Sequence, residues 1–287
     1  MKNRQRNIAT TGATLFLDQT IIRKININSV VKQQRFQKIA RGIVNFESMY
    51  LKSQIPNLLT LSNLLCGIFS IYFTSQNQPE IGAWLILAGA GFDFLDGLAA
   101  RALGVSGELG RQLDSLADMV SFGAAPTFLA LQFNGIFDET IQWSWKVLAL
   151  FLPVFMAAFS AFRLGKFNID TRQSNRFIGL PTPANALFWV SLALADRAGG
   201  VLGWDFLNEG LILFRESTGL VDFAAILLGI LMVSEIPLLA LKFQGEVDNK
   251  RSKVALLYLS CGLFILFGFS SIPIVLLLYF ILSLITK

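Results

Sequence analysis

The sequence predicts an all-α, polytopic membrane helical bundle of six to eight transmembrane helices, eight favoured, with both termini cytoplasmic. Three observations predict this. Of the 287 residues, 54% are hydrophobic and 15% charged, against about 25% charged in an ordinary soluble domain. Mean hydropathy is +0.58. The apolar residues collect in runs close to the ~20 residues that cross a bilayer, and 21 of the 24 Lys and Arg fall in connections that eight spans would place on one side.

Taken in chain order, the elements begin with residues 1–53, which are polar and hold ten of the basic residues. Val30, Val31, Phe36, Ile39 and Ile43, interleaved with Lys32, Arg35, Lys38 and Arg41, have the period of a basic amphipathic helix lying in the membrane interface. A disordered leader, or an extension upstream of a start at Met49, fits the same residues. No 7–15-residue apolar core of a secretory signal occurs there. Next come eight apolar segments, at 57–75, 81–103, 112–132, 145–163, 183–196, 222–242, 253–269 and 272–286. The fifth and eighth are short. Pro56 suits a helix start, and Pro126 should kink the third segment. The basic connections 101–111, 163–176 and 242–253 lie on the same side as the N-terminal segment, which orients that side to the cytoplasm. A multi-pass protein of the inner, cytoplasmic membrane is expected. The loop around 197–221 reads as outward-facing, with Trp204, Asp205, Glu209, Arg215 and Asp222, and spans six to eight as lipid-facing or subunit-facing.

Composition also excludes chemistries. There is no histidine, so His-based acid–base catalysis, Ser-His-Asp triads and His-ligated metals are absent. Cys66 and Cys261 both sit in apolar runs and form no CxxC pair, so neither a zinc cluster nor a disulfide framework is indicated. The net charge of +5 comes without basic–aromatic interleaving, so no nucleic-acid partner is read from it.

The remaining chemistry concentrates between Asp93 and Asp118. Asp93 and Asp96 stand three apart, and Asp114 and Asp118 four apart, so each pair shares a helix face. An antiparallel turn through Gly104, Gly107 and Gly110 would bring the pairs together. Four carboxylates at a membrane boundary repel one another, and insertion scales charge each Asp ~3 kcal/mol at mid-helix. Arg101 and Arg111 cannot neutralise all four. Hard divalent cations can, and all-oxygen ligation suits Mg²⁺ or Mn²⁺. Two such ions would clamp a diphosphate.

The run fits D-x2-D-G-x2-A-R-x8-G-x3-D-x3-D, filled by Asp93, Asp96, Gly97, Ala100, Arg101, Gly110, Asp114 and Asp118. On these residues the chain resembles the CDP-alcohol phosphotransferase family, whose members transfer a substituted phosphoryl group from a CDP-alcohol to a hydroxyl and release CMP. The resemblance implies that Asp93, Asp96, Asp114 and Asp118 ligate two metal ions, with Asp118 also the general base. It further implies that Gly97, Ala100, Arg101 and Gly110 serve the CDP-linked donor, and that the protein is a homodimer. Three more stretches, IPNLLTLSNLLCG at 55–67, DSLADMVSFGAAP at 114–126, and FRLGKFN with FIGLPTPANA within 162–186, are similar to the membrane-type bacterial phosphatidylserine synthases of that family. This branch implies CDP-diacylglycerol as donor and L-serine as acceptor. The sequence departs from it at Gly165-Lys166, where Ala-Arg is expected; Lys166 keeps the charge and loses the planar fork.

Further candidates flank the motif. Asn57, Thr60 and Asn63, spaced i, i+3, i+6, are candidates to face the nucleotide, with polar inter-helix packing the alternative. Arg163, Lys166 and Arg176 are candidates for the serine carboxylate or a phosphate, or else simply cytoplasmic positive charge. Ser121 is a candidate serine contact, or a back-bonded helix serine. The domain reading is a 1–53 segment, a catalytic core at 54–190 and accessory helices at 191–287. Competing readings are another acceptor, glycerol 3-phosphate or inositol phosphate, and a membrane prenyltransferase, which also uses paired Asp motifs. A transporter with an acidic ion site gives no reason for the fixed Gly, Ala and Arg positions.

Overall fold

Helix α1, Lys52–Ser75, buries a polar and small-residue stripe: Thr60, Asn63, Gly67, Ser70 and Thr74 are covered, while Leu58, Leu65, Phe69 and Tyr72 point outward. That inversion is the mark of a helix whose surroundings are apolar and whose contacts are made by small residues. The computed structural model describes residues 37, 52–105, 107–137, 151–169, 177–195, 205–238 and 250–285. Apart from Gln37, the N-terminal amphipathic segment lies outside the described residues, as do Arg176 and Trp204. The chain divides into two units, Met1–Gln54 and Ile55–Lys287, and the helical bundle is the second of these.

Helix α2, Pro79–Leu103, ends at Gly104, whose φ of 63° is left-handed and caps the helix through bonds to the carbonyls of Ala100 and Arg101. The chain re-enters a helix at Glu108. Helix α3, Glu108–Phe133, carries a π-helical stretch at Met119–Ala124. The distortion expected at Pro126 takes this form: the wider π turn sits immediately before the proline, where a regular helix would clash with its ring.

Helix α4, Val154–Ile169, extends beyond the fourth apolar segment, so Arg163 and Lys166 are helical. This corrects the reading that placed them in a connection. Arg163 continues the helix because it turns inward and is 8% exposed. After β1, Phe177–Ile178, Gly179 adopts φ 74° and donates to Ile236 O at 2.9 Å. The β1 residues pair antiparallel with β2, Pro237–Leu238. This fixes the turn into α5, Thr182–Ala193.

Residues 205–216 are helical rather than an outward loop: α6, Asp205–Glu216, is followed after Ser217 by α7, Thr218–Val233, bent 90° from it. Asp222 belongs to α7 and accepts from Asn134 Nδ2 at 2.7 Å. Arg215 donates to Leu192 O at 3.3 Å, satisfying a carbonyl near the end of α5. Helix α7, read as lipid-facing or subunit-facing, does turn Leu220, Phe223, Leu227 and Ile230 outward, but its other face is core. Val221, Ala224, Ala225, Gly229 and Met232 are buried, and α7 packs along α4. A wholly apolar helix hides its buried face from periodicity, because both its faces read alike.

Helices α8, Lys250–Phe267, and α9, Ile272–Ile285, are joined by a short 3₁₀ turn at Gly268–Ser271. Gly268 has φ 58° and Phe267 φ −122°, which breaks the helical direction between them. Leu256 of α8 and Tyr279 of α9 share a buried cluster with Leu238.

Among the described residues the fold is all-α apart from the two-residue ladder. Among the described residues four helical stretches are long and apolar enough to cross a membrane: Lys52–Ser75, Pro79–Leu103, Glu108–Phe133 and Val254–Leu284; the bent α6–α7 pair makes a fifth if it counts as one span. The 12 residues of α5 rise ~18 Å, well short of a ~30 Å hydrocarbon core. The main core gathers Ile86, Phe122, Leu129, Met156, Trp189, Val221 and Met232 from α2, α3, α4, α5 and α7.

Candidate active site

The site forms where α1, α2 and α3 meet. Their backbones approach closely because glycines face polar side chains. A Cβ at Gly67 would lie 2.7 Å from Ser121 Oγ and 2.8 Å from Ser121 Cα, and one at Gly89 would lie 2.8 Å from Asn63 Oδ1. Close approach of this kind is what brings short Asp side chains from separate helices together.

Asp93 of α2 and Asp114 and Asp118 of α3 each offer a carboxylate oxygen, and the three oxygens lie within 4.8 Å of one another. Asp93 and Asp114 approach within hydrogen-bonding reach. Asp96 stands beside this group, 7% exposed, and accepts from Thr60 Oγ1 at 2.6 Å. Asn63 Nδ2 donates to Asp118 Oδ1 at 3.3 Å. Thr60 and Asn63, read from the sequence as facing a nucleotide, thus spend these donors on the aspartates and set their orientation. Asn57 is at the same end, with its Oδ1 3.5 Å from where a Cβ of Gly110 would lie.

Positive charge near the carboxylates is scarce. Arg111 pairs with Glu108 on the exposed surface, so it does not neutralise the aspartates. Lys166 pairs with Glu235 at 3.0 Å. The Arg101 guanidinium lies over Gly97, 3.4 Å from the position a Cβ would take there, leaving one helix face bare beneath it. Arg163 lies close enough to Asp118 to attract it, and its Nη1 is 3.5 Å from Thr182 Oγ1. Among the described residues, the Arg111–Glu108 and Lys166–Glu235 ion pairs involve none of the four aspartates. Clustered carboxylates without paired cations, in an all-oxygen donor set, are what a hard divalent cation requires, and the residues fit such a group.

Ser121 is fully buried in the π-helical stretch, and its hydroxyl donates to Asn63 O at 2.9 Å. It joins α3 to α1, and that bond occupies its proton. Ser115 and Asn168 likewise tie α3 to α4, with Asn168 Nδ2 donating to Ser115 Oγ at 2.9 Å. Two buried polar residues, Thr182 and Asn185 on α5, escaped the sequence reading. Their signal was present as polar residues three apart in PTPANA, at the mouth of an apolar segment, but only the packing of α5 shows that they are buried.

Residues 53–214, more than half of the chain, match the sequence model of the CDP-alcohol phosphatidyltransferase family. A Helicobacter pylori (strain ATCC 700392 / 26695) protein named CDP-diacylglycerol–serine O-phosphatidyltransferase is 34% identical over 183 residues, covering 63% of this chain and 70% of its own length. The Bacillus subtilis protein of that name is 32% identical over 164 residues, 56% of this chain and 89% of the relative. A Methanocaldococcus jannaschii protein, again of that name, is 32% identical over 182 residues, 63% of this chain and 72% of the relative.

Proposed function

Since the chain belongs to the CDP-alcohol phosphatidyltransferase family, we propose that it transfers the phosphatidyl group of CDP-diacylglycerol to the hydroxyl of L-serine, giving phosphatidylserine and CMP. The observation that carries the reaction class is the convergence of Asp93, Asp114 and Asp118 with Asp96 beside them. Serine as acceptor is supported by the names of the three relatives.

Asp93, Asp96, Asp114 and Asp118 would hold two Mg²⁺ or Mn²⁺ ions, which when bound neutralise the diphosphate and the departing CMP. Every other step belongs to the chain. Asp118 takes the proton of the serine hydroxyl as its oxygen bonds to the phosphorus bearing the lipid. The bond from that phosphorus to the CMP oxygen breaks in line, and the electron pair leaves on CMP. Positioning contributes more here than covalent help. Thr60 and Asn63 keep two of the carboxylates in fixed rotamers. Gly97 and Ala100 keep the α2 surface low enough for the nucleotide, Arg101 supplies its cation, and Gly110 with Asn57 borders the same end. Arg163 faces the acceptor. Lys166 and Arg176 contribute positive charge to the surrounding surface, and Ser121 acts through its bond to α1.

In this reading the catalytic core is 54–190, with 1–53 a basic leading segment and 191–287 accessory helices. An even number of spans within six to eight, eight favoured, would place both termini and the site on the cytoplasmic side of the inner membrane, as the 21-of-24 distribution of basic residues supports. The protein acts as a homodimer. An acceptor panel tests the assignment. Purified protein with Mn²⁺ or Mg²⁺ and CDP-diacylglycerol should release CMP with L-serine. Release with glycerol 3-phosphate or inositol phosphate, and none with serine, would sink it.

A further inference from the structure

We infer that α6 lies along the bilayer–water boundary at the end of the bundle opposite the aspartates, and that Phe206 and Leu213 on it dock against the lipid surface there, whichever alcohol the enzyme uses.

The ends of several elements define that level. Asn77, in the turn between α1 and α2, accepts from Gln132 Nε2 near the end of α3 at 2.8 Å. Asn134, just past α3, donates to Asp222 near the start of α7 at 2.7 Å. Helix α6 crosses the same level. Arg215 donates to Leu192 O near the end of α5, and its guanidinium lies 5.9 Å from the centre of the Phe133 ring at the end of α3. Ser270, in the turn between α8 and α9, donates to Asn208 Oδ1. Chain reversals of a membrane bundle belong where the hydrocarbon ends, because irregular backbone in contact with lipid leaves its polar groups unsatisfied.

Three sides of α6 differ, and each suits one neighbour. Leu211 and Phe214 pack on the main core, with Asn208 and Arg215 bonded beside them. Glu209 and Glu216 are exposed. Phe206 and Leu213 are 60% and 68% exposed. Each pair is two turns apart, so each forms a stripe, and at 3.6 residues per turn the two stripes lie ~60° apart. An acidic stripe beside an apolar one suits a helix with one edge in water and the next in acyl chains.

The 12 residues of α6 rise only ~18 Å. The helix is bent 90° from α7, so the two cannot both run along the membrane normal. The exposed stripe of α7, Leu220, Phe223, Leu227 and Ile230, begins immediately after the bend, so lipid-facing surface continues up to α6. A second copy of the chain suits the patch less well. A two-fold contact through Phe206 and Leu213 would bring Glu209 and Glu216 of both copies together. Measured from Phe133, Asp118 lies ~22 Å along α3, beyond the middle of a ~30 Å hydrocarbon core. Holding α6 at one boundary therefore sets the aspartates in the far leaflet, toward its lipid phosphates.

Depth-resolved fluorescence of the full chain in phosphatidylcholine vesicles tests this. In a cysteine-free background, a nitrobenzoxadiazole probe is attached to Leu213→Cys, to Glu209→Cys, or to Leu227→Cys in the middle of α7. Quenching is compared for a lipid nitroxide near the headgroup, a lipid nitroxide near the chain terminus, and iodide on both sides of the vesicle. The Leu213→Cys probe should be quenched on the order of twofold more by the shallow nitroxide than by the deep one, because an interfacial helix sinks its apolar edge only ~5–10 Å. The Leu227→Cys probe should show the reverse order, and the Glu209→Cys probe should respond most to iodide. Deep quenching of the Leu213→Cys probe, matching Leu227→Cys, would make α6 part of a broken span and overturn the inference. Quenching by iodide alone would lift α6 off the membrane, and protection from all three quenchers would put protein against it; either result also overturns it. Melting in detergent checks that each labelled variant is folded. If Leu213→Cys is not, Phe206→Cys on the same stripe takes its place with the same expected order.

Discussion

At the scale of single residues, the site is an arrangement of carboxylates and the groups that orient them. Asp118 accepts from an orienting amide, Asn63, and lies within the influence of a cation, Arg163. Asp118→Asn should lower kcat on the order of 10²–10⁴-fold while leaving CDP-diacylglycerol binding largely intact; single-turnover CMP release and a separate binding measurement check this, and an active variant would remove its role as base. Thr60 touches no reacting group, but it holds Asp96 at 2.6 Å. Groups that orient a metal ligand typically matter 10- to 100-fold for metal affinity or activity. Thr60→Val should therefore shift the Mn²⁺ concentration for half-maximal activity upward by about that factor, and a metal titration of chelator-treated protein reads it. An unshifted titration would mean that Asp96 does not need this bond.

At the scale of elements, helix contact without side-chain bulk explains why the aspartates meet. Gly67 and Gly91 make a controlled pair. A Cβ at Gly67 meets the Ser121 backbone at 2.8 Å, which only movement of a helix can relieve, whereas one at Gly91 meets nothing within 4 Å. Gly67→Ala should cost about 1–3 kcal/mol and reduce activity, because separating α1 from α3 draws Asn63 away from Asp118. Gly91→Ala should be neutral or slightly stabilising, since alanine is the better helix former by about 0.5–1 kcal/mol. Thermal melting in detergent, run beside the activity assay, separates the two. Equal melting temperatures would show that the α1–α3 contact can relax. The π-helical stretch at Met119–Ala124 belongs to this scale as well: it accommodates Pro126 beyond Asp118, and Ser121 within it bonds to α1.

At the scale of the whole molecule, the charge distribution and the metal requirement are the testable properties. In a cysteine-free background, Gly107→Cys should react with a membrane-impermeant thiol reagent only from the cytoplasmic side, and Gln76→Cys only from the opposite side. Labelling of both from one side would contradict the orientation drawn from the basic residues. Chelation should abolish CMP release, and Mn²⁺ or Mg²⁺ should restore it. Activity surviving exhaustive chelation would mean that the four aspartates are not a metal site.

The sequence by itself determined the all-α membrane character and the place of the chemistry, because both are written locally. A span must be apolar along its length, and four aspartates at helical spacing carry their juxtaposition within 26 residues. It also marked Arg163, though not the burial of that side chain or its setting against Thr182. Only the tertiary structure decided which apolar helices are core and which face outward. In a helix that is apolar all round, lipid and protein ask for the same side chains, so α7 read like α8. It also decided that Thr60 and Asn63 turn to the aspartates, that Ser121 is committed to α1, and that Thr182 and Asn185 are buried. Those assignments depend on which neighbour each polar group meets across a helix interface, and a one-dimensional pattern does not carry that information.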